Sequence, residues 1–208
     1  MDKTAKFWNR IANYYSKRPV VDEASYQKKL EVTRSYFRPD MEVLEFGCGT
    51  GSTAISHSPY VKHILALDLS SEMIRICLEK AEAADIDNIT FKCSSFDDFS
   101  ALDESLDAVL ALNILHLLEN WEEVITRAHK MLKPGGIFVT STPCIGDSLF
   151  RFFKYIAYLG HIFNILPRVV VIKEKQLEQS ITDAGFVIDH QWRPGKNAAV
   201  FIVAKKEK

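Results

Sequence analysis

Residues 43–51 read VLEFGCGTG, and they predict a strand that runs directly into a glycine-rich loop. Three glycines alternate in this loop, at Gly47, Gly49 and Gly51. Glycine adopts positive φ without strain and carries no Cβ, so a ligand can come close to the backbone. In open α/β sheets, ligands bind outside the carboxyl ends of the strands. The stretch therefore predicts a ligand site at the end of a buried strand.

Apolar runs of strand length alternate with helical stretches on both sides of this loop. They predict strands at 42–46, 63–67, 89–92, 107–112, 137–140, 186–190 and 198–203. Strands that alternate with helices indicate a parallel α/β sheet. The last two runs are joined by a connection that contains Pro194 and Gly195, which predicts a hairpin and hence an antiparallel strand.

Helix boundaries follow from capping residues and prolines. Residues 3–37 are amphipathic and predict two helices that separate near Pro19, because proline disfavours a helical conformation at the residue before it. Ser70 is expected to cap the helix that follows the second strand. Asn120 precedes a glutamate by three residues, and this capping-box spacing predicts the start of the helix after the fourth strand.

Composition and charge exclude several classes of protein. The 208 residues are 47% hydrophobic and 25% charged, which are ordinary values for one globular domain and not for a disordered chain, a collagen or a coiled coil. Twenty-six basic residues against 27 acidic ones give a net charge of −1, so no nucleic-acid partner is expected. The four cysteines form no CxxC pair and the first residues contain no apolar signal region; both observations favour reduced thiols and a cytoplasmic location.

Two acids beside the glycines indicate the chemistry of the ligand. Asp68 ends the second predicted strand, where a carboxylate can accept both hydroxyls of a ribose. Glu45 stands two residues before Gly47, where it would repel a pyrophosphate but not a cationic ligand. The dinucleotide fingerprint G-x-G-x-x-G would also need a glycine at Ser52. A nucleoside carrying a sulfonium and an α-amino group fits better, with an NAD-type dinucleotide oxidoreductase as the alternative.

Four stretches together resemble the class I S-adenosylmethionine-dependent methyltransferases. VLEFGCGTG is similar to motif I of that family, LDLSSEM at 67–73 to its ribose-binding strand end, DAVLALNILHLL at 107–118 to its fourth strand, and MLKPGGIFV at 131–139 to the entry of its fifth. The resemblance implies a Rossmann-like, doubly wound sheet of seven mostly parallel strands. It also implies small-molecule methylation similar to that of the quinone-biosynthesis methyltransferases, with S-adenosylmethionine as cofactor and S-adenosylhomocysteine as product.

The resemblance also assigns residues of this sequence to the cofactor. Glu45, Gly47 and Gly49 would line the methionine end of the cofactor, and Cys48 lies among them. Asp68 would hold the ribose hydroxyls. Leu69 and Met73 would pack on the adenine. Ser95 occupies a position where the family often has an acid that meets the adenine amino group, and Phe96 follows it. Asn113 would face the methyl group. Tyr15 would close over the cofactor from the N-terminal helix, with Tyr14 as the alternative.

Methyl transfer from a sulfonium is an in-line displacement, which can be catalysed mainly by positioning in a water-poor site. A general base is needed only where the nucleophile carries a proton. His116 is the candidate base because it lies in the loop after the fourth strand, although packing is the more common role of a histidine there. No metal site is expected.

An apolar stretch at 148–171 is interrupted by charged and polar residues, so it is a poor membrane span. Three interpretations stay open: a lid lined by residues such as Phe150, Phe153 and Tyr155, a helix buried in the domain or in a homodimer interface, and a peripheral membrane contact. A lid predicts a small, apolar or amphipathic acceptor, whereas a module that only binds cofactor or docks on a membrane is the non-catalytic alternative. The expected division of the single domain is a helical cap, a cofactor-binding core, a lid insertion and a final helix with its hairpin, at 1–38, 39–142, 143–172 and 173–208.

Overall fold

The computed structural model describes residues 3–144, 146, 169–195 and 198–207. Six α-helices lie within these residues: α1 Lys3–Ser16, α2 Glu23–Arg34, α3 Ser52–His57, α4 Ser71–Ala83, α5 Trp121–Met131 and α6 Glu174–Asp183. Seven strands form one sheet: β1 Glu42–Phe46, β2 His63–Asp68, β3 Ile89–Cys93, β4 Leu106–Leu112, β5 Leu132–Thr142, β6 Phe186–Trp192 and β7 Val200–Lys206. The strand order is β3-β2-β1-β4-β5-β7-β6, so the predicted mixed, mostly parallel sheet is confirmed.

Strand β1 lies where the strand order changes direction. It pairs in parallel with β2 on one side, from Glu42 with His63 to Phe46 with Leu67, and with β4 on the other side. Four of its five residues are buried, as expected for a strand covered on both faces. A crevice forms outside the carboxyl ends of the strands at such a reversal. The glycine loop that follows β1 therefore lies at the place where this fold can receive a ligand.

One of the two predicted helix caps is confirmed. The Ser70 hydroxyl accepts a hydrogen bond from the Met73 amide at 3.1 Å, which satisfies an otherwise unpaired donor at the start of α4. Asn120 does precede α5, but its side chain makes no capping hydrogen bond. The prediction of a capping box there is wrong, because the residue spacing alone does not direct the side chain toward the helix.

The antiparallel part of the sheet also agrees with the sequence, apart from its boundaries. Strand β5 pairs antiparallel with β7 from Ile137 with Lys205 to Thr142 with Val200, and β7 pairs antiparallel with β6. The predicted strand at 137–140 is too short, since the chain becomes extended immediately after α5 ends at Met131.

The described residues form two compact units. The first consists of the described residues within 1–100 and 106–110, and the second of those within 101–105 and 111–208. The fourfold division expected from the sequence stays a prediction, and most of the apolar stretch at 148–171, with Phe150, Phe153 and Tyr155, lies outside the described residues. Among the helices that the structure does describe, none has the length and hydropathy to cross a bilayer.

His57 makes the fold sensitive to acid. It is fully buried at the end of α3, its ring lies edge-on to Phe37 with centroids 5.1 Å apart, and neither ring nitrogen has a hydrogen-bond partner among the described residues. Burial lowers the pKa of His57 from 6.5 to about 3, and the nearby charge of Arg34 acts in the same direction. The unfolded chain therefore binds a proton below pH 6.5 that the folded chain excludes, and stability is lost as the pH falls.

Urea unfolding should show this loss. Between pH 6.5 and pH 5.0, His57 should remove about 1.6 kcal/mol from the unfolding free energy, because the unfolded histidine goes from half to almost fully protonated while the folded one stays neutral. His57→Leu replaces the ring with an apolar side chain, so the change in unfolding free energy between these two pH values should differ from that of the wild type by this amount. Glu45 and Asp68, whose raised pKa values act in the opposite direction, contribute equally to both proteins. Equal pH dependence of the two proteins would contradict the assignment.

Candidate functional site

The glycine loop has a backbone that only glycine adopts readily. Gly47, Gly49 and Gly51 have φ values of 66°, 54° and 74°. A Cβ built on Gly49 would have a Tyr15 ring carbon, at 4.0 Å, as its nearest neighbour, whereas a Cβ on Gly51 would lie 2.9 Å from the Cys77 sulfur. The loop thus has an open side at Gly49 and a packed side at Gly51.

Asp68 links the loop to the end of β2. One of its carboxylate oxygens accepts a hydrogen bond from the Gly49 amide and the other from the Ser70 amide, both at 2.9 Å. Its side chain is almost buried, and burial raises its pKa from 3.8 to about 6, against the opposing effect of the two amide hydrogen bonds. Each oxygen keeps a further lone pair, so Asp68 can still accept from two ligand hydroxyls.

Glu45 lies on β1 directly before the loop. It is 3% exposed, and its Oε2 atom is buried with no hydrogen-bond partner among the described residues. Burial raises its pKa from 4.5 to about 8, and the charge of Asp68 adds to this increase. A buried carboxyl group without a partner is unfavourable unless a donor or cation joins it. A ligand group that carries a positive charge or donates a hydrogen bond would therefore satisfy this buried oxygen atom.

Tyr15 and Tyr14 occupy different surroundings. Tyr15 faces Gly49 and lies edge-on to Trp8, with ring centroids 6.1 Å apart, while it keeps 46% of its surface exposed. Tyr14 is 67% exposed, and the Arg18 guanidinium lies over its ring. Of the two, Tyr15 is the one that the structure places beside the loop.

Leu69 and Met73, the two residues expected at the adenine, differ from each other in burial. Leu69 is partly buried after β2. Met73 is 2% exposed and packs with Ala12, Ile76 and Trp8, so its placement argues for a role in the core rather than for contact with adenine.

Ser95 and Phe96 follow β3. The Ser95 hydroxyl donates to an Asp98 carboxylate oxygen at 2.7 Å and accepts from the Asp98 amide at 3.0 Å, which leaves it one lone pair for a ligand donor. Phe96 is buried against Phe46, with ring centroids 4.3 Å apart. Cys48, in the loop itself, is also buried.

Two predicted residues belong to the second unit. Asn113 is exposed, has a φ of 56°, and donates its amide to the Ser141 carbonyl at 2.7 Å. His116 lies in a short 3-10 helix, Leu115–Leu117, and its Nδ1 atom is buried without a partner among the described residues. Burial lowers its pKa from 6.5 to about 4, so the ring is neutral near pH 7 and can accept a proton only weakly. Its assignment as a base stays a prediction.

Within the described ranges, no group of histidine, cysteine, aspartate and glutamate side chains is arranged to hold a metal ion. The site therefore consists, in the first unit, of the open glycine loop, two buried carboxyl groups and the ring of Tyr15.

Comparison with known proteins finds a methyltransferase domain in this chain. A family model described as a methyltransferase domain matches residues 43–136. An uncharacterized methyltransferase of Bacillus subtilis, YcgJ, is 26% identical over 102 residues, which are 49% of this chain and 40% of that protein. The demethylmenaquinone methyltransferase of Symbiobacterium thermophilum is 23% identical over 97% of this chain and 92% of its own length. These likenesses support a methyltransferase domain of the class I S-adenosylmethionine-dependent type, with the family match confined to residues 43–136.

The fold of the chain also matches a solved structure. The N-methyltransferase NodS of Bradyrhizobium japonicum, solved with S-adenosyl-L-homocysteine, has a TM-score of 0.78 over 100% of both chains at 16% identity. Such a likeness shows the fold. The chain spans about half or less of several curated relatives that it matches, between 37% and 52% of their lengths.

The residues of the site fit the family's cofactor, S-adenosylmethionine. Glu45 offers an unpartnered buried carboxyl oxygen to a cation, Asp68 offers free lone pairs to hydroxyls, and Gly49 leaves its face open. The sequence did not single out Cys77 and Lys80 on α4, although both contact the loop. A thiol and a lysine spaced three apart on a helix give no signal that could be recognised without the structure.

Proposed function

We propose that this methyltransferase transfers the methyl group of S-adenosylmethionine to a small, apolar or amphipathic acceptor. The observation that carries the proposal is the buried Glu45 Oε2 atom, which has no hydrogen-bond partner among the described residues, next to Asp68 and directly before the glycine loop. When bound, the cofactor supplies an electrophilic methyl group on a sulfonium. Every other contribution comes from side chains that bind, orient and exclude water.

In this proposal each residue of the first unit has one task. Glu45 ionises and neutralises the cofactor's ammonium group, which resolves its unfavourable burial. Asp68 accepts the ribose hydroxyls while its amide hydrogen bonds keep it in place. Tyr15 covers the open side of Gly49 and reduces the access of water. This division of tasks makes positioning the main source of catalysis.

The electrostatics disfavour the dinucleotide alternative. A pyrophosphate at this loop would lie beside Glu45 and Asp68, both nearly buried and both with a raised pKa. Its negative charge would raise both pKa values further and repel the ionised Asp68 carboxylate, where water screens charge poorly. The same carboxyl groups support a ligand with a positive charge.

The nature of the acceptor is inferred from the sequence and from one relative. The stretch at 148–171 is rich in large apolar residues, which suits an apolar acceptor drawn into a lid or from a membrane surface. The relative matched over nearly the whole chain is named a demethylmenaquinone methyltransferase. We therefore propose a hydroxylated aromatic or quinol-like small molecule, a cytoplasmic location, and no nucleic-acid partner. A homodimer and a peripheral membrane contact are the further partners that this apolar stretch would serve.

His116 is the base that this proposal offers where the acceptor carries a proton. Its neutral ring can take that proton, and the pKa of about 4 makes it an inefficient base. We therefore expect an acceptor that reacts with little assistance, or one whose proton is already acidic.

Calorimetric titration tests the cofactor first. Purified protein should bind S-adenosylhomocysteine saturably and should not bind NAD. Transfer of a labelled methyl group from S-adenosylmethionine to a panel of quinols and catechols then tests the acceptor class. Binding of NAD alone would overturn the proposal, and cofactor binding with no transfer to any acceptor would favour the non-catalytic module.

Asp68→Ala should weaken the binding of S-adenosylhomocysteine by about 1.5–3 kcal/mol, the typical contribution of a hydrogen bond to a charged group. Calorimetry measures this difference directly. Asp68→Asn is the matched control, because it keeps one carbonyl acceptor and the size of the side chain, and its loss should be smaller. If Asp68→Ala binds like the wild type, the ribose assignment fails.

A further inference from the structure

The glycine loop makes one backbone hydrogen bond of its own, from the Gly51 amide to the Cys48 carbonyl at 3.0 Å. Three alternating residues with positive φ have no side chains to pack, and glycine has the greatest backbone freedom of any residue. The loop is fixed on its amide side by β2, since the Cys48 amide donates to the Leu67 carbonyl at 3.0 Å and the Gly49 amide donates to Asp68. The Gly51 carbonyl accepts from the Ile55 amide at 2.9 Å, which leaves the Gly49 and Thr50 carbonyls for other partners.

Helix α4 supplies those partners from one face. The Cys77 thiol donates to the Gly49 carbonyl, with the sulfur 3.1 Å from the oxygen. Lys80 follows three residues later, so it lies on the same face of the helix. Its ammonium group donates to the Thr50 carbonyl at 3.2 Å, to the Thr50 hydroxyl at 3.1 Å and to the Ser52 hydroxyl at 3.0 Å.

These three contacts match the donor capacity of Lys80. An ammonium group has three N–H donors, and each has an oxygen here. The contacts lie between the loop and the first residue of α3, so they fix the point at which the chain leaves the loop. An ordinary surface lysine keeps its rotamer freedom in water. Lys80 is instead partly buried, and it contacts both Thr50 and Ser52.

We propose that Lys80 is a positioning residue for the cofactor: it holds Thr50 and Ser52 and thereby keeps the glycine loop in the conformation that receives the ligand. The inference rests on the proposed function, because the loop is taken as the cofactor site. Lys80 does not touch the ligand in this proposal and acts only through the loop. Its removal should therefore weaken binding and leave the chemical step nearly unchanged.

Lys80→Met tests the role because it keeps an apolar side chain of similar length and removes the ammonium group. Its dissociation constant for S-adenosylhomocysteine should rise about tenfold, and the KM for S-adenosylmethionine should rise with it while kcat stays within about twofold. Lys80→Arg, which keeps the charge and several donors, should recover most of the affinity. Glu82→Gln, at an exposed position on the same helix, is the control that should match the wild type.

Amide hydrogen exchange gives a readout that does not depend on activity. Exchange at residues 47–52 should be faster in Lys80→Met than in the wild type, while exchange within β5 and β7 stays the same. If Lys80→Met does not fold, Ser52→Ala removes one of the three acceptors at an exposed position and should weaken binding by about two- to threefold.

The outcomes separate this inference from the proposed function. A wild-type protein that does not bind S-adenosylhomocysteine overturns the proposed function and this inference with it. A wild-type protein that binds, with Lys80→Met and Ser52→Ala both binding equally well, overturns only the role of Lys80. A kcat that falls while KM and affinity stay constant also overturns it, since Lys80 would then act on the chemical step.

Discussion

Gly49→Ala should abolish measurable binding of S-adenosylhomocysteine while the melting temperature falls by only a few degrees. A Cβ at this position meets nothing closer than a Tyr15 ring carbon at 4.0 Å, so the folded protein has room for it. The remaining penalty is that of a left-handed alanine at a φ of 54°, about 1–2 kcal/mol. The same methyl group would occupy the face by which a ligand approaches the backbone. We expect a loss of affinity of at least roughly 100-fold, or about 2.7 kcal/mol.

Gly51→Ala is the matched control, because it should lower the stability of the fold more than Gly49→Ala does, while its methyl group lies on the packed side of the loop and not on the open side. Its Cβ would lie 2.9 Å from the Cys77 sulfur and 3.1 Å from a Phe91 ring carbon, so it would overpack the contact between the loop and α4. We expect a loss of about 2–4 kcal/mol in unfolding free energy, from overpacking and from the positive φ together. Thermal unfolding and calorimetry on both variants measure the contrast. If Gly49→Ala binds normally, the open side of the loop is not where the ligand lies.

The affinity for S-adenosylhomocysteine should increase with pH. In the free protein Glu45 has a pKa of about 8, so its carboxyl group is neutral near pH 7. Binding of the ligand's ammonium group favours the carboxylate, so one proton is released. Below pH 8 the affinity should therefore rise by up to about tenfold per pH unit, and by up to about 30-fold from pH 6.0 to 7.5.

In the unliganded protein, the effect of Glu45 on the free energy of unfolding should have the opposite pH dependence to its effect on affinity. Because the folded carboxyl pKa lies above its ordinary value of 4.5, the contribution of Glu45 to stability is lost as the pH rises from 4.5 toward 8.

Calorimetry at pH 6.0, 6.8 and 7.5, in buffers of different ionisation enthalpy, gives both the affinity and the number of protons released. Glu45→Gln resembles the neutral acid and should bind weakly with little pH dependence over this range. An equal pH dependence in the variant would show that another group titrates.

Much of the fold could be predicted from local patterns. Strand β1 was predicted with its observed bounds, because a buried run that ends at a glycine has no ambiguity about where it stops. The break between α1 and α2 near Pro19 and the Ser70 cap follow from constraints that act within a few residues. The start of β5 and the missing Asn120 cap were mispredicted, because each depends on contacts that the neighbouring sequence does not specify.

Part of the site could be predicted for the same reason. Gly47, Gly49 and Asp68 are recognisable because the backbone geometry and the chemistry of the ligand restrict those positions to few residue types. The resemblance assigns Met73 to the adenine, which stays a prediction, and the sequence gives no signal for Lys80. Whether a methionine faces a pocket or the core, and whether a lysine points at a loop 28 residues earlier in the chain, depends on how α4 packs.

The position of β7 in the sheet has a consequence for biosynthesis. Strand β7 follows β6 in the sequence but lies between β5 and β6, and it pairs with both. On the ribosome, β5 must therefore wait with an unpaired edge until Val200–Lys206 has emerged, and β6 has no place beside it before then. Unpaired edges invite association with other chains. Nascent chains stalled before residue 200 should therefore depend more on chaperones than completed ones do.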